Sequence, residues 1–274
     1  MRRVRWASVL LHAALVLLAA AALGPLLWMV SASLMPAGEA SALPPRLLPS
    51  APTLAHYRDL FGRLRLGRAL LNSTLLATAT SALAVVLNGL AGYAFAKLRF
   101  RGRARLFRLL LALLVVPAQV AMLPLFLLLK QMGLVNTLAG VVVPGLASVF
   151  GIFLVRQYAL SIPDELLDAA RIDGAGELRL FVSIVLPTIV PILATLAIWT
   201  FLATWNDFMW PLIVLSDESH YTLPVALASL VGEHVQDTEL MMAGSVLTTL
   251  PVLLVFLFLQ RYYIQGVMAG SVKG

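Results

Sequence analysis

Six long apolar stretches set the terms for how this chain can fold. They lie at about 9–30, 70–96, 106–129, 138–155, 184–215 and 241–263. The first covers 22 residues, which as a helix is about 33 Å long and matches a bilayer's hydrocarbon core. Lipid offers no partner to a backbone N–H or C=O, so a spanning segment must satisfy its own hydrogen bonds. The runs are continuous rather than alternating, which selects helices over a barrel. Only 12% of the residues are charged and 61% are hydrophobic, against about 25% charged in a soluble domain. The expected fold is therefore all-α, a single polytopic membrane domain over 1–274 with six transmembrane helices. Ala19–Ala22 imitates a signal-peptidase site, but the run before the next polar segment is too long for the 7–15 residues or so of a signal core. The first span is expected to be retained.

Charge gives the topology. With both termini on one side, 14 of the 20 Lys and Arg fall on that side and 6 on the other, so the positive-inside rule puts both termini in the cytoplasm. Lys97, Arg99, Arg101, Arg103, Arg105 and Arg108 form the densest cluster. They flank two spans, so the net charge of +7 is expected from topology and not from nucleic-acid binding. The segment 31–68 is polar and proline-rich, an extramembrane loop whose later part, 56–68, has the pattern of a short interfacial helix. Ala77, Ser81, Ala84, Gly89 and Gly92 line the second span and permit close helix packing. Pro117 and Pro124 are expected to kink the third.

Several chemistries lack their residues. No G-x-x-x-x-G-K-[ST] phosphate loop is present, so ATP hydrolysis by that route cannot reside in this chain. His12, His56, His220 and His234 are scattered and there is no cysteine, so no metal site, catalytic residue or bound cofactor is expected. The spans are nearly free of ionisable groups, Asp207 near a span end being the exception. Proton- and ion-coupled carriers ordinarily need such groups as relays, so the driving force is expected from another subunit.

The loop 161–182 carries the most informative pattern. Ser161 is a plausible N-cap, Pro163 belongs to the first turn, Asp164 and Glu165 suit the positive helix end, and Gly174 suits a left-handed stop. Ala169 and Ala170 allow another backbone to approach, while Asp168, Arg171 and Asp173 supply polar contacts. The segment Asp168-Ala169-Ala170, then Gly174, then Ile184, Leu186 and Pro187 resembles the cytoplasmic EAA loop of binding-protein-dependent importers at the family spacing. Aspartate stands where that family has glutamate, keeping the charge on a shorter arm. The resemblance implies a coupling helix seated in a groove of a separate ATPase subunit.

Further segments resemble the carbohydrate-importer permeases of the maltose-transporter type: Met122-Leu123-Pro124-Leu125-Phe126, Asn136-Thr137, Tyr221-Thr222-Leu223-Pro224, Gln260-Arg261-Tyr262-Tyr263, and the tail within 264–274. In that family the tail, here Gly270, Ser271, Val272, Lys273 and Gly274, reaches the ATPase dimer. Trp205-Asn206-Asp207 also matches; an aromatic face beside amide and carboxylate groups suits sugar hydroxyls, and it equally suits an interfacial belt. Gln119 and Asn88 either line the pathway or bond across helices. The resemblance implies a multi-pass permease of a bacterial or archaeal cytoplasmic membrane, surrounded by membrane lipid. Its implied partners are a second related permease, an ATPase dimer carrying ATP and Mg, an extracytoplasmic sugar-binding protein and a sugar. A permease for a peptide or phosphonate, an ATPase-independent transporter or channel, and a membrane scaffold are the competing readings.

Overall fold

A computed structural model describes residues 6–44, 46–62, 65–233 and 237–269, and these contain helices and no strand. Four helical segments are long and apolar enough to cross a membrane: Ser8–Ala32, Leu66–Lys97, Glu177–Trp205 and Thr238–Phe258. Two bent helix pairs, each counted as one crossing, bring the number to six. The chain divides into two compact units, Met1–Gly67 with Ala226–Pro251, and Arg68–Val225 with Val252–Gly274.

In the first unit, α1 (Trp6–Ala32) presents its apolar side chains outward, as a helix meant for lipid or another helix does. The proline-rich segment after it is an ordered clasp. Glu39 accepts hydrogen bonds from the Ser50 N–H at 3.1 Å and the Ser50 hydroxyl at 3.1 Å, and pairs with Arg46 at 3.0 Å. The helix expected at 56–68 is α2 (Ala55–Gly62), which buries His56 and Leu60; His56 Nε2 lies 2.9 Å from the Met35 carbonyl. The buried Glu239 accepts from the Ala40 N–H at 2.6 Å.

The second unit is organised on α3 (Leu66–Lys97). Its polar side chains satisfy backbone that neighbouring segments cannot pair internally. Asn72 donates to the carbonyls of Ser219 and Tyr221, each at 3.0 Å, and Ser73 accepts from the Leu223 N–H at 2.8 Å. Ser81 donates to the Ala197 carbonyl at 2.8 Å. Small residues set the approach: a Cβ on Gly92 would sit 2.6 Å from Val155, so that contact admits only glycine.

Two expected spans are broken. The stretch 106–129 is two helices, α4 (Arg103–Leu113) and α5 (Ala118–Gln131), bent by 105°. The break falls at Pro117, which has no N–H to donate and disfavours helical geometry in the residue before it; Pro124 stays inside α5. The stretch 138–155 is α6 (Leu138–Gly145) and α7 (Val149–Ala159), bent by 41° after Pro144 and Gly145. Next come α8 (Asp164–Ile172), α9 (Glu177–Leu180), a π-helical turn at Phe181–Val185 and α10 (Leu186–Trp205). The widened turn lies where the Pro187 ring would crowd the carbonyl four residues earlier. The expected fifth span, 184–215, thus ends at Trp205. Residues beyond it form the separate short helix α11 (Met209–Val214), followed by α12 (Leu223–Glu233) and α13 (Thr238–Ala269).

Candidate coupling surface

Helix α8 is short, and its geometry is fixed at both ends. Pro163, and not Ser161, occupies the N-cap, with no side chain capping the helix. The Ser161 hydroxyl donates instead to the Tyr158 carbonyl at 2.7 Å, closing the preceding helix. A serine two residues ahead of a proline can serve either turn; here the proline's preset φ starts the helix. Asp164 and Glu165 sit in the first turn and Arg171 in the last, so the helix dipole is complemented at each end. At the far end Gly174 adopts φ +83°. The Gly174 N–H bonds to the Arg171 carbonyl and the Ala175 N–H to the Ala170 carbonyl, both at 3.0 Å. That pair of bonds is a Schellman closure.

One apolar anchor and two polar clamps hold this helix to the membrane helices. Leu167 is 1% exposed and joins a core formed by Tyr93 and Ala96 of α3, Val155 and Ala159 of α7, and Ile189, Leu193 and Leu196 of α10. Burying a leucine side chain stabilises by about 1.5–3 kcal/mol. Lys97, at the end of α3, donates to the Ile162 carbonyl at 2.5 Å and to Asp164 at 2.6 Å. The ammonium beside it holds the Asp164 carboxyl below the usual carboxylate range. The second clamp runs through Arg171, which donates to Asp168 at 2.7 Å and to the two carboxylate oxygens of Glu177 at 2.9 and 3.3 Å. The Tyr93 hydroxyl completes it, donating to Glu177 at 2.7 Å. Glu177, and Asp168 with it, keeps the Arg171 guanidinium firmly protonated.

The opposite face is bare. Glu165, Leu166, Asp168, Ala169 and Ile172 are exposed, recurring at the spacing of one helix face. Ile172 is 87% exposed and Leu178 is 71% exposed. Val182 is open too, beside a shallow depression of about 550 Å³ lined by Gly176, Glu177, Leu178, Arg179, Val182 and Ser183. Apolar groups on a loop otherwise rich in charge mark a contact surface. Of the residues singled out from sequence, Asp168 and Ala169 lie on this face. Arg171 points inward to Glu177, Ala170 is half-covered, and Gly174 ends the helix. Ile184 and Leu186 pack beside the core at the head of α10, while Pro187 sits in its first turn. Sequence reasoning missed Ile172, Leu178, Tyr93 and Glu177. The exposed isoleucine inside an acidic helix was the available signal.

The expected pathway residues are not gathered into one site. Trp205 is 1% exposed and stacks on Phe201 with centroids 5.9 Å apart. Asn206 ends α10, donating to the Leu202 carbonyl at 2.8 Å, and Asp207 accepts from the Trp210 N–H at 3.3 Å at the head of α11. Within this chain, Trp205-Asn206-Asp207 is therefore a helix end, a turn and a helix start. Asn88 is fully buried. It donates to the Ala84 and Leu146 carbonyls at 2.6 and 3.2 Å and accepts from the Ser148 N–H at 3.0 Å, so it serves the backbone opened by the α6–α7 break. Gln119 is exposed in the first turn of α5. Gly270 to Gly274 lie outside the described residues.

The Asn136–Trp210 end of the same unit is closed on itself. Asn136 adopts φ +59°, and its side-chain oxygen accepts from the N–H groups of Ser216 and Asp217, both at 3.0 Å. Thr137 caps α6 by accepting from Gly140 N–H at 3.1 Å. Trp210 donates its indole N–H to the Gly140 carbonyl at 3.2 Å.

Comparison with known proteins gives the family and the fold. Residues 59–268 match the family described as binding-protein-dependent transport system inner membrane component. The arabinooligosaccharides transport system permease protein of Halalkalibacterium halodurans is 42% identical over 203 residues, covering 74% of this chain and 73% of that protein. The lactose transport system permease protein of Rhizobium radiobacter is 39% identical over 202 residues, covering 74% of each. Among solved structures, a chain of a bacterial ABC transporter involved in the import of the acidic polysaccharide alginate shares the fold. It superposes with a TM-score of 0.82 at 24% identity, covering 96% of this chain and 98% of that one.

Proposed function

The chain belongs to the family of inner membrane components of binding-protein-dependent transport systems, and from that premise we propose that it is the permease subunit of an ATP-driven sugar importer. It would form half of a translocation pathway with a second, related permease and hand energy from an ATPase dimer to that pathway. The observation that carries this reading is the bare face of α8, Glu165 to Ile172, on a helix clamped from behind to α3 and packed into the core with α10. A short helix stopped at Gly174 and wedged by Leu167 moves as one piece. A push on its outer face therefore displaces the membrane helices instead of deforming a loop.

In this mechanism ATP, with Mg, binds and closes the ATPase dimer, which shifts α8. Lys97–Asp164 and Tyr93–Glu177–Arg171 pass the shift to α3, and the Leu167 core passes it to α10. The pathway then opens outward to a sugar delivered by an extracytoplasmic binding protein, and hydrolysis in the ATPase resets it. The charge distribution supports cytoplasmic termini, with the 270–274 tail reaching the ATPase. The sugar assignment rests on the arabinooligosaccharide and lactose permeases to which the chain is similar. Gln119 and Asn206, whose amides are exposed, are the sugar-facing members of the sequence-derived set. Trp205, Asp207 and Asn88 hold the helices that present them.

The test is reconstitution with the co-expressed ATPase, partner permease and binding protein, scoring ATP hydrolysis against a panel of mono- and oligosaccharides. At least one sugar should stimulate hydrolysis, and Ala170→Arg or Gly174→Pro should uncouple hydrolysis from uptake. Sugar uptake without any ATPase subunit would contradict the proposal.

A further inference from the structure

The cluster of basic residues after α3 does more than record topology. Lys97 and Arg103 are engaged, Lys97 with Asp164 and Arg103 with the Ala96 and Leu98 carbonyls at 3.5 and 2.9 Å. Arg99, Arg101, Arg105 and Arg108 are exposed, and none forms an ion pair among the described residues. Among the described residues their one side-chain hydrogen bond is local: Arg108 Nε donates to the Ala104 carbonyl at 3.3 Å, within the same helix. A left-handed turn at Gly102, φ +84°, brings the chain from α3 into α4.

Helix α4 has two distinct outer stripes. Its inner face is set by Phe107, which is buried beneath the Arg156 guanidinium at 4.1 Å from the ring centre, with Phe153 stacked and Phe95 tilted beside it. On the outside, Arg105, Arg108 and Ala112 follow one line at helical spacing. Leu106, Leu109 and Leu113 follow the adjacent line, each about half exposed or more. The 105° bend to α5 fixes the setting. Where α5 enters the membrane steeply, α4 lies close to the membrane plane. A helix in that plane with a basic stripe beside a leucine stripe is built for the headgroup–acyl boundary.

We propose that α4 and the turn before it form an anionic-phospholipid site, in which Arg99, Arg101, Arg105 and Arg108 take the phosphate headgroups and Leu106, Leu109 and Leu113 take the acyl chains. Charge complementarity selects this occupant. Four exposed cations, of which only Arg99 has a carboxylate, Asp164, near enough to act on it, call for anions, and the leucines alongside call for hydrocarbon, a combination that an acidic phospholipid supplies in one molecule. The site depends on the fold of α3–α5 and not on the cargo carried.

The chain contains no cysteine, so Ala112→Cys places a single fluorophore on the basic stripe, one turn beyond Arg108. The full chain is reconstituted in phosphatidylcholine nanodiscs holding an equal minor fraction of brominated phosphatidylglycerol or brominated phosphatidylcholine. Anion enrichment near a basic residue is about fivefold per contact, so phosphatidylglycerol should quench several-fold more strongly. High salt should erode the difference. Arg105→Gln with Arg108→Gln should bring the two lipids toward parity, and Arg105→Lys with Arg108→Lys should preserve the preference. Equal quenching by both lipids in the otherwise unaltered chain overturns the proposal. So does protection from both lipids and from aqueous iodide, which would assign the face to a protein partner.

Discussion

The two ends of α10 handle polar groups in opposite ways. At Trp205 the motif residues serve the local backbone and core: the indole is buried, Asn206 ends one helix, Asp207 starts the next, and Asn136 and Trp210 tie the following loop down. At the head of α10, Arg171, Glu177 and Tyr93 satisfy one another behind α8, yet the front of that helix keeps Glu165, Ala169 and Ile172 open. Both ends match family-like patterns in the sequence, and both leave some apolar surface open, but the most exposed apolar side chain of the two is Ile172 on α8. Pattern alone therefore does not separate a contact residue from a structural one. The separation lies in whether neighbouring backbone uses up the side chain's hydrogen bonds.

The largest way to break this contrast is at the open end. Ile172→Glu changes a side chain that touches little within the chain, so the thermal transition of the isolated permease should stay put. Sugar-dependent ATP hydrolysis in the assembled complex should fall at least tenfold. At the closed end the pattern should invert. Trp205→Ala removes a fully buried aromatic, a loss of about 3–5 kcal/mol, read as a lowered melting temperature, while the KM for sugar in whatever complex assembles stays near its original value. A raised KM with unchanged stability would move Trp205 into the pathway.

A smaller effect is expected at Asn136. Alanine there faces φ +59°, which costs a residue with a Cβ about 1–2 kcal/mol, and it also removes the acceptor for two N–H groups. Asn136→Gly should recover the strain and not the bonds, so its stability should fall between those of the native and alanine forms. Smallest is the pH response of the Lys97–Asp164 clamp. Asp164 has a depressed folded pKa, so its contribution is present above the usual carboxylate range and is lost as pH falls through the lowered value. The carboxylate is 73% exposed, which screens the pair and keeps the shift in melting temperature slight. Asp164→Asn should abolish what shift there is.

Much of the architecture was legible because hydropathy and backbone satisfaction in lipid leave few choices, and the apolar runs fell on helices. The breaks were harder to read. Pro117 turns the chain by 105° while Pro124, seven residues on, leaves α5 continuous. Both prolines lack the N–H that a helix bonds, so the sequence does not say which of them breaks the helix. The stop at Gly174 was readable because a left-handed closure needs a glycine locally. The cap was misassigned to Ser161 because serine and proline both mark helix starts, and only the fold shows which turn each serves. Asn88 illustrates the remaining gap: a polar residue in a span signals function or cross-helix bonding equally, and its partners lie about sixty positions away.

The central claim is that the bare face of α8 is covered by an ATPase subunit, and a single cysteine tests it most directly. Ile172→Cys in the otherwise cysteine-free chain, co-expressed with the ATPase, should form a cross-link to that subunit and resist a water-soluble maleimide in the assembled complex. Ser216→Cys, at the closed end, should do neither. Free labelling of the Ile172→Cys thiol in an assembled complex that still hydrolyses ATP in response to sugar would contradict the account.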